Sequence, residues 1–305
     1  MNKYSHDFTQ DLDLSLPQLT AVLDLAAQVK HAPQDFRQRL AGRSVALLFE
    51  KPSLRTRFTF ELGVQQLGGC VVSSDGPVAA REPAKDVARN LDRWTDAIVA
   101  RTFRQKTIDE LAHWSRVPVV NALSDLYHPC QALADLQTLR EHFCRLRGLK
   151  LTFVGDGNNV AHSLMLNAAR LGMHFALAAP PGYEPNAEIL KQARALAEES
   201  GGSVEVGHDA MAAVAGAHAL YTDVWASMGQ ESEAAERQRS FAPYQVSRQL
   251  LAAALPEAMS LHCLPAKRGE EVTDEVLESP QSKVFEQAEN RLHAQKALLL
   301  TLIGQ

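Results

Sequence analysis

The chain has 305 residues, 46% of them apolar, with charges of both signs and a formal net charge of -5 at pH 7. That length accommodates two domains with separate cores, and the slightly acidic balance excludes the basic footprint of a nucleic-acid-binding protein. Cys70, Cys130, Cys144 and Cys263 are widely spread with no CxxC pair, which excludes a zinc knuckle and argues against a disulfide framework, so a reducing cytoplasm is expected.

The start "MNKYSHDFTQDLDL" lacks a basic segment followed by an apolar run, and no stretch reaches the roughly eighteen apolar residues of a membrane helix, so neither export nor membrane insertion is expected. Short β-rich runs then alternate with helix-like stretches: "SVALLFE" (44–50), "CVVSS" (70–74), "DAIVARTF" (96–103) and "VPVVNAL" (117–123). After the long amphipathic "HPCQALADLQTLREHFCRLRG" the pattern restarts with "KLTFVGD" (150–156), "MHFALAAP" (173–180), "SVEVGHD" (203–209), "ALYTD" (219–223) and "MSLHCLP" (259–265). The alternation predicts an α/β protein of two doubly wound parallel-sheet domains, 1–147 and 148–288, with the active site in the cleft at the strand carboxyl ends.

Within "FEKPSLRTRFTFE" (49–61), Pro52 ends a strand, and Phe58, Leu62 and Gln65 continue at helical spacing until Gly68 and Gly69. Ser53 to Arg57 therefore sit at a helix N-terminus, where free N–H groups, the hydroxyls of Ser53 and Thr56 and the guanidinium of Arg55 suit a phosphate. A capping serine with solvated arginines is the plain alternative, but the donors are denser than capping needs. Arg101 ends an apolar strand and either snorkels or faces the cleft. In "LSDLYHPCQALAD", His128 and Gln131 either form a simple turn or address a carbonyl oxygen and an NH2 group together.

"FVGDGNN" looks superficially like a dinucleotide fingerprint, but Val160 stands at its third glycine and the next strand ends without an acid, which disfavours NAD. Asn158 and Asn159 present amides instead. Asp223 closes the strand "ALYTD", with Ser227 and Met228 following; its carboxylate either holds an ammonium or caps the next short helix. Cys263 and Leu264 in "HCLP" are strand-end filling or a further polar contact.

These segments, with "VGDGNNVAHSL", "TDVWASMGQE", "HCLPAKRGEEVT" and "QAENRLHAQKALL", follow one another from residue 44 to the C-terminus in an order and spacing that resemble the aspartate/ornithine carbamoyltransferase superfamily, and within it the ornithine branch. The resemblance implies a first domain for carbamoyl phosphate, a second for L-ornithine, and a closing helix, 289–305, that returns to the first. It implies carbamoyl-phosphate contacts from Ser53, Leu54, Arg55, Thr56, Arg57, Arg101, His128, Gln131, Cys263, Leu264 and Arg291. Ornithine falls to Asn159, Asp223, Ser227 and Met228. Thr56, Arg101 and His128 are expected to stabilise the reacting oxygen, and Cys263 and Asp223 to attend the amine. No cofactor or metal is implied, and the expected assembly is a homotrimer or a multiple of trimers. Lysine or putrescine as the amine, or a catalytically silent carbamoyl-phosphate-binding subunit, are the alternatives.

Two departures from the family pattern stand out. Leu54 replaces a threonine in the phosphate loop, and its backbone N–H is expected to suffice. Pro77 replaces a glutamine that in the family reaches the carbamoyl phosphate of a neighbouring subunit, which leaves Arg81 and Lys85 as the cations able to substitute from that loop.

Overall fold

The computed structural model describes residues 7–226 and 231–304. Its chain forms two compact units, one made of residues up to Gln137 together with those from Glu289, the other of Thr138–Ala288. The first holds strands β1 (Ser44–Phe49), β2 (Cys70–Asp75), β3 (Ala97–Arg101) and β4 (Val119–Leu123) in a parallel sheet ordered β2-β1-β3-β4. Its helices are α1 (Leu16–His31), α2 (Leu54–Gln66), α3 (Ala84–Leu91), α4 (Gln105–Trp114) and α5 (Pro129–Phe143), which runs on past the unit border. The second unit holds β5 (Lys150–Val154), β6 (His174–Ala178), β7 (Ser203–Gly207), β8 (Ala219–Thr222) and β9 (Met259–His262), ordered β7-β6-β5-β8-β9 and again parallel. Around them lie α6 (Asn159–Arg170), α7 (Ala187–Ser200), α8 (Ala210–Val214), α9 (Ala234–Phe241), α10 (Arg248–Ala252) and α11 (Asp274–Leu277), and α12 (Val284–Ile303) begins here and continues into the first unit.

Every predicted strand is present, because short apolar runs bounded by Gly, Pro and Asp are what a sheet covered on both faces requires. Alternate residues of the central strands, Ala46 and Leu48 of β1 and Ile98 and Ala100 of β3, pack on Ala84 and Ala88 of α3 and Ile108 and Leu111 of α4. In the second unit Val154, Ala178 and Leu220 are covered by Val214, Leu250, Leu251, Val276 and Leu277. A fully buried large aliphatic side chain of this kind contributes about 1.5–3 kcal/mol relative to exposure.

On α2 the residues whose helical spacing marks the element in the sequence are not the ones that are buried. Phe60, Gly63 and Val64 are buried, whereas Phe58 and Leu62 are 54% and 44% exposed. Helical spacing alone does not say which of two apolar stripes meets the sheet.

In open parallel sheets, strand order sets where ligands are held. Each sheet reverses direction once, between β1 and β3 and between β5 and β8, and at such a switch point the connections leave in opposite directions and open a crevice at the strand carboxyl ends. Ser53 and Arg101 lie beyond the first reversal, Asp156 to Asn158 and Asp223 beyond the second. In the second loop a Cβ on Gly157 would lie 2.3 Å from Pro185 N and 2.5 Å from Glu184 C, so this glycine allows two backbone segments to cross. Among the described residues no helix is long and apolar enough to cross a membrane.

Candidate active site

In the first unit the donors gather around one hydroxyl. Thr56, in the first turn of α2, is fully buried, and its Oγ1 accepts from Arg101 Nη1 at 3.4 Å and from Arg291 Nη2 of α12. A hydroxyl oxygen has two lone pairs, so with both taken its own O–H serves as a donor. Ser53 occupies the N-cap position of α2 with extended backbone but makes no side-chain cap; its Oγ instead receives Arg101 Nη1 at 3.3 Å. The uncapped first turn keeps its N–H groups for an anion. A register shift in the β3–β4 pairing falls at Ala100/Arg101, the kind of irregularity that re-aims a side chain beside a site.

His128 precedes α5 and is buried; burial holds its imidazole well below its ordinary pKa, and the charges of Arg291 and Arg101 add to this. It is neutral at pH 7 and carries one N–H donor. Gln131 donates through Nε2 to Asp135 Oδ1 at 2.8 Å, and its buried Oε1 accepts no hydrogen bond among the described residues, so the acceptor end of the amide is the one available. Arg55 is half-buried on the first turn of α2. Arg57 is placed differently: its Nε reaches Glu61 Oε1 at 2.9 Å and its Nη1 reaches both oxygens of Asp75 at 2.8 Å. These carboxylates hold it between α2 and the end of β2.

The second unit centres on Asp223, 8% exposed at the end of β8. Its Oδ1 accepts from Cys263 Sγ at 3.0 Å and from Val224 N at 2.8 Å, and its Oδ2 from Asn158 Nδ2 at 2.8 Å. The capping alternative for Asp223 falls, since Val224, Trp225 and Ala226, which follow it, are not helical. Asn158 also caps α6, accepting from Val160 N and Ala161 N, whereas Asn159 Oδ1 accepts from Val160 N at 3.0 Å. Ser227 and Met228 lie outside the described residues. Leu264 follows Cys263 with a left-handed φ of 57° and a cis bond to Pro265.

Asp223, His262 and Cys263 offer ligand atoms within 4.8 Å of one another. Both ring nitrogens of His262 are already engaged, Nδ1 by Leu264 N at 2.8 Å and Nε2 by Glu271 Oε1 at 3.1 Å, which leaves two ligands where a structural metal site needs about four.

Known families account for both clusters. Residues 6–141 match the model described as "Aspartate/ornithine carbamoyltransferase, carbamoyl-P binding domain", and 147–302 match "Aspartate/ornithine carbamoyltransferase, Asp/Orn binding domain". The chain belongs to the aspartate/ornithine carbamoyltransferase family. It is 49% identical over 302 residues to an ornithine carbamoyltransferase of Anoxybacillus flavithermus, covering 97% of this chain and 96% of that one. A counterpart from Rhodococcus opacus is 50% identical over 302 residues, with 98% and 96% covered. The solved ornithine carbamoyltransferase of Pyrococcus furiosus superposes with a TM-score of 0.95 at 46% identity, over 98% and 97% of the two chains. An acetylornithine transcarbamylase complexed with acetylcitrulline gives 0.89 at 34% identity, over 98% and 99%.

Against the family pattern, the Leu54 side chain is 66% exposed, so its substitution leaves the backbone N–H of the first turn in place. The loop containing Pro77 lines an open groove of about 510 Å³ with Leu48, Asp75, Arg81 and Glu82, and both Arg81 and Lys85 are exposed. Several contributors were not singled out from sequence. Glu50 accepts from Val78 N at 2.9 Å and Phe103 N at 2.8 Å, which ties this loop to the exit of β3. Arg237, buried in α9, donates to Asp156 Oδ2 at 2.7 Å and Trp225 O at 3.1 Å, joining the ends of β5 and β8. Lone acids and arginines between elements carry no sequence pattern that marks such partners.

Proposed function

We propose that the chain transfers the carbamoyl group of carbamoyl phosphate to the δ-amino group of L-ornithine, giving L-citrulline and phosphate in arginine metabolism. Asp223 carries the choice of amine: a buried carboxylate held by Asn158 and the Cys263 thiol suits an amino acid with a free ammonium, which acetylation of the α-amine would remove. Ser53, Leu54 N–H, Arg55 and Thr56 hold the phosphate at the first turn of α2, and Arg57 acts by ordering the loop through Asp75. The neutral δ-amine attacks the carbonyl carbon, forming the N–C bond. The C–O bond to phosphate then breaks, and the amine proton is released. Thr56 O–H, Arg101, Arg291 and the neutral His128 stabilise the oxyanion that develops between these events, and Gln131 Oε1 with the Cys263 and Leu264 carbonyls receives the carbamoyl NH2. Asn159, Ser227 and Met228 complete the ornithine side. Fixing two small polar substrates in line supplies much of the rate, and the scheme calls on no metal or organic cofactor. Citrulline formation by the purified chain from carbamoyl phosphate and L-ornithine tests the assignment.

The four free cysteines fit a cytoplasmic protein. A homotrimer is the proposed assembly. Leu54, Phe58 and Leu62 form an exposed stripe at i, i+4 and i+8 on α2, and Val72 on the edge strand β2 is 63% exposed, an apolar surface suited to a second copy of the chain. Sedimentation is expected to give about three times the 33.4 kDa chain mass, and Phe58→Glu to lower it. A native species of one chain would contradict this assembly.

A further inference from the structure

We propose that Glu271 is a positioning residue of the reaction: its carboxylate fixes His262 as the Nε2–H tautomer, and that imidazole in turn pins the Cys263–Leu264 turn. The inference rests on the assignment of this turn to the substrates. His262 ends β9 at 1% exposure and Glu271 is fully buried. Leu264 N–H donates to His262 Nδ1 at 2.8 Å, so Nδ1 holds a lone pair and the ring proton sits on Nε2, 3.1 Å from Glu271 Oε1. The same oxygen accepts from Lys267 N at 2.6 Å, so one carboxylate closes the whole loop from Leu264 to Glu271. The backbone of His262 is held separately: its N–H donates to Gln287 Oε1 at 2.9 Å, and Gln287 Nε2 donates to Tyr221 Oη at 3.0 Å.

The device matters because Leu264 adopts a φ of 57°, a region that side chains with a Cβ occupy only when their surroundings enforce it. The Leu264 N–H bond to His262 is such an enforcement. Without Glu271 the imidazole is free to move its proton to Nδ1, where it faces the Leu264 N–H as donor against donor. The turn then relaxes, and with it the Cys263 thiol on Asp223.

The test compares the full-length enzyme with Glu271→Leu, Glu271→Gln and Cys263→Ser. Steady-state kinetics, thermal midpoints and long-range 1H–15N spectra of the 15N-labelled imidazoles are recorded for each. Glu271→Leu is expected to populate the Nδ1–H form of His262 and to lower kcat about a hundredfold, the scale of a misplacement near 1 Å at reacting groups. Glu271→Gln keeps an oxygen acceptor and is expected to retain the Nε2–H signal with most of the activity. If the leucine variant does not fold, Glu271→Asp replaces it, with the same loss expected from its shorter reach. A folded leucine or aspartate variant with unchanged kcat, or one whose His262 spectrum matches the wild type, overturns the inference. Wild-type kinetics in Cys263→Ser would instead sink the assignment of the turn itself. Impaired Cys263→Ser beside unimpaired Glu271 variants would sink only the role of Glu271.

Discussion

Arg101→Ala is expected to lower turnover between about thirtyfold and several thousandfold while leaving the fold intact, the range that follows from roughly 2–5 kcal/mol for removing one partner of a buried charged hydrogen bond. Arg101 is 9% exposed and its Nη1 touches both Ser53 and Thr56, so its loss removes the group that joins the two hydroxyls. His128 would feel one positive neighbour fewer and its pKa would rise, yet burial is the larger cause of its depression and remains, so the imidazole stays neutral. Arg101→Lys should rescue little, since a compact ammonium on a flexible stem does not reproduce the planar guanidinium that places Nη1 between the two hydroxyls. Steady-state kinetics in each substrate, with a thermal midpoint as fold control, check this. An unchanged saturation curve for carbamoyl phosphate would remove Arg101 from the site.

Asp223→Asn should act on the other substrate. It is nearly isosteric, but the charge that would hold an ammonium disappears and an amide NH2 can face Asn158 Nδ2 as donor against donor. The apparent KM for ornithine is expected to rise at least about thirtyfold, again from roughly 2–5 kcal/mol, with the KM for carbamoyl phosphate little changed. Equal increases in both constants would indicate general damage, and no increase in the ornithine KM would contradict the role assigned to Asp223.

How far these sites were legible depended on how local their chemistry is. The strands and their alternation could be read because burial on both faces leaves continuous apolar runs. The donor-rich start of α2 could be read because serine, threonine and arginine follow a strand directly, and Ser53 stands there without a side-chain cap. Two local choices could not be read. Asn158 donates to Asp223, a contact set by how the start of α6 is aimed at the strand end. Arg57 looks like a phosphate ligand until the fold brings Asp75 beside it. Glu271 is harder still, since one of two adjacent acids in "RGEEVT" is fully buried beneath His262 and sequence spacing does not distinguish it from its half-buried neighbour Glu270.

The central claim is that this chain carbamoylates the δ-amine of ornithine. It is tested most directly by presenting purified protein and carbamoyl phosphate with L-ornithine, N-acetylornithine, lysine, putrescine and aspartate side by side and quantifying each carbamoylated product. The account predicts that kcat/KM for ornithine exceeds that for every other amine by at least about thirtyfold, since each competitor lacks the α-ammonium, lacks the α-carboxylate, misplaces the reacting amine or has none on its side chain. A preference for acetylornithine, lysine, putrescine or aspartate, or no carbamoylated product from any of the five, would contradict it.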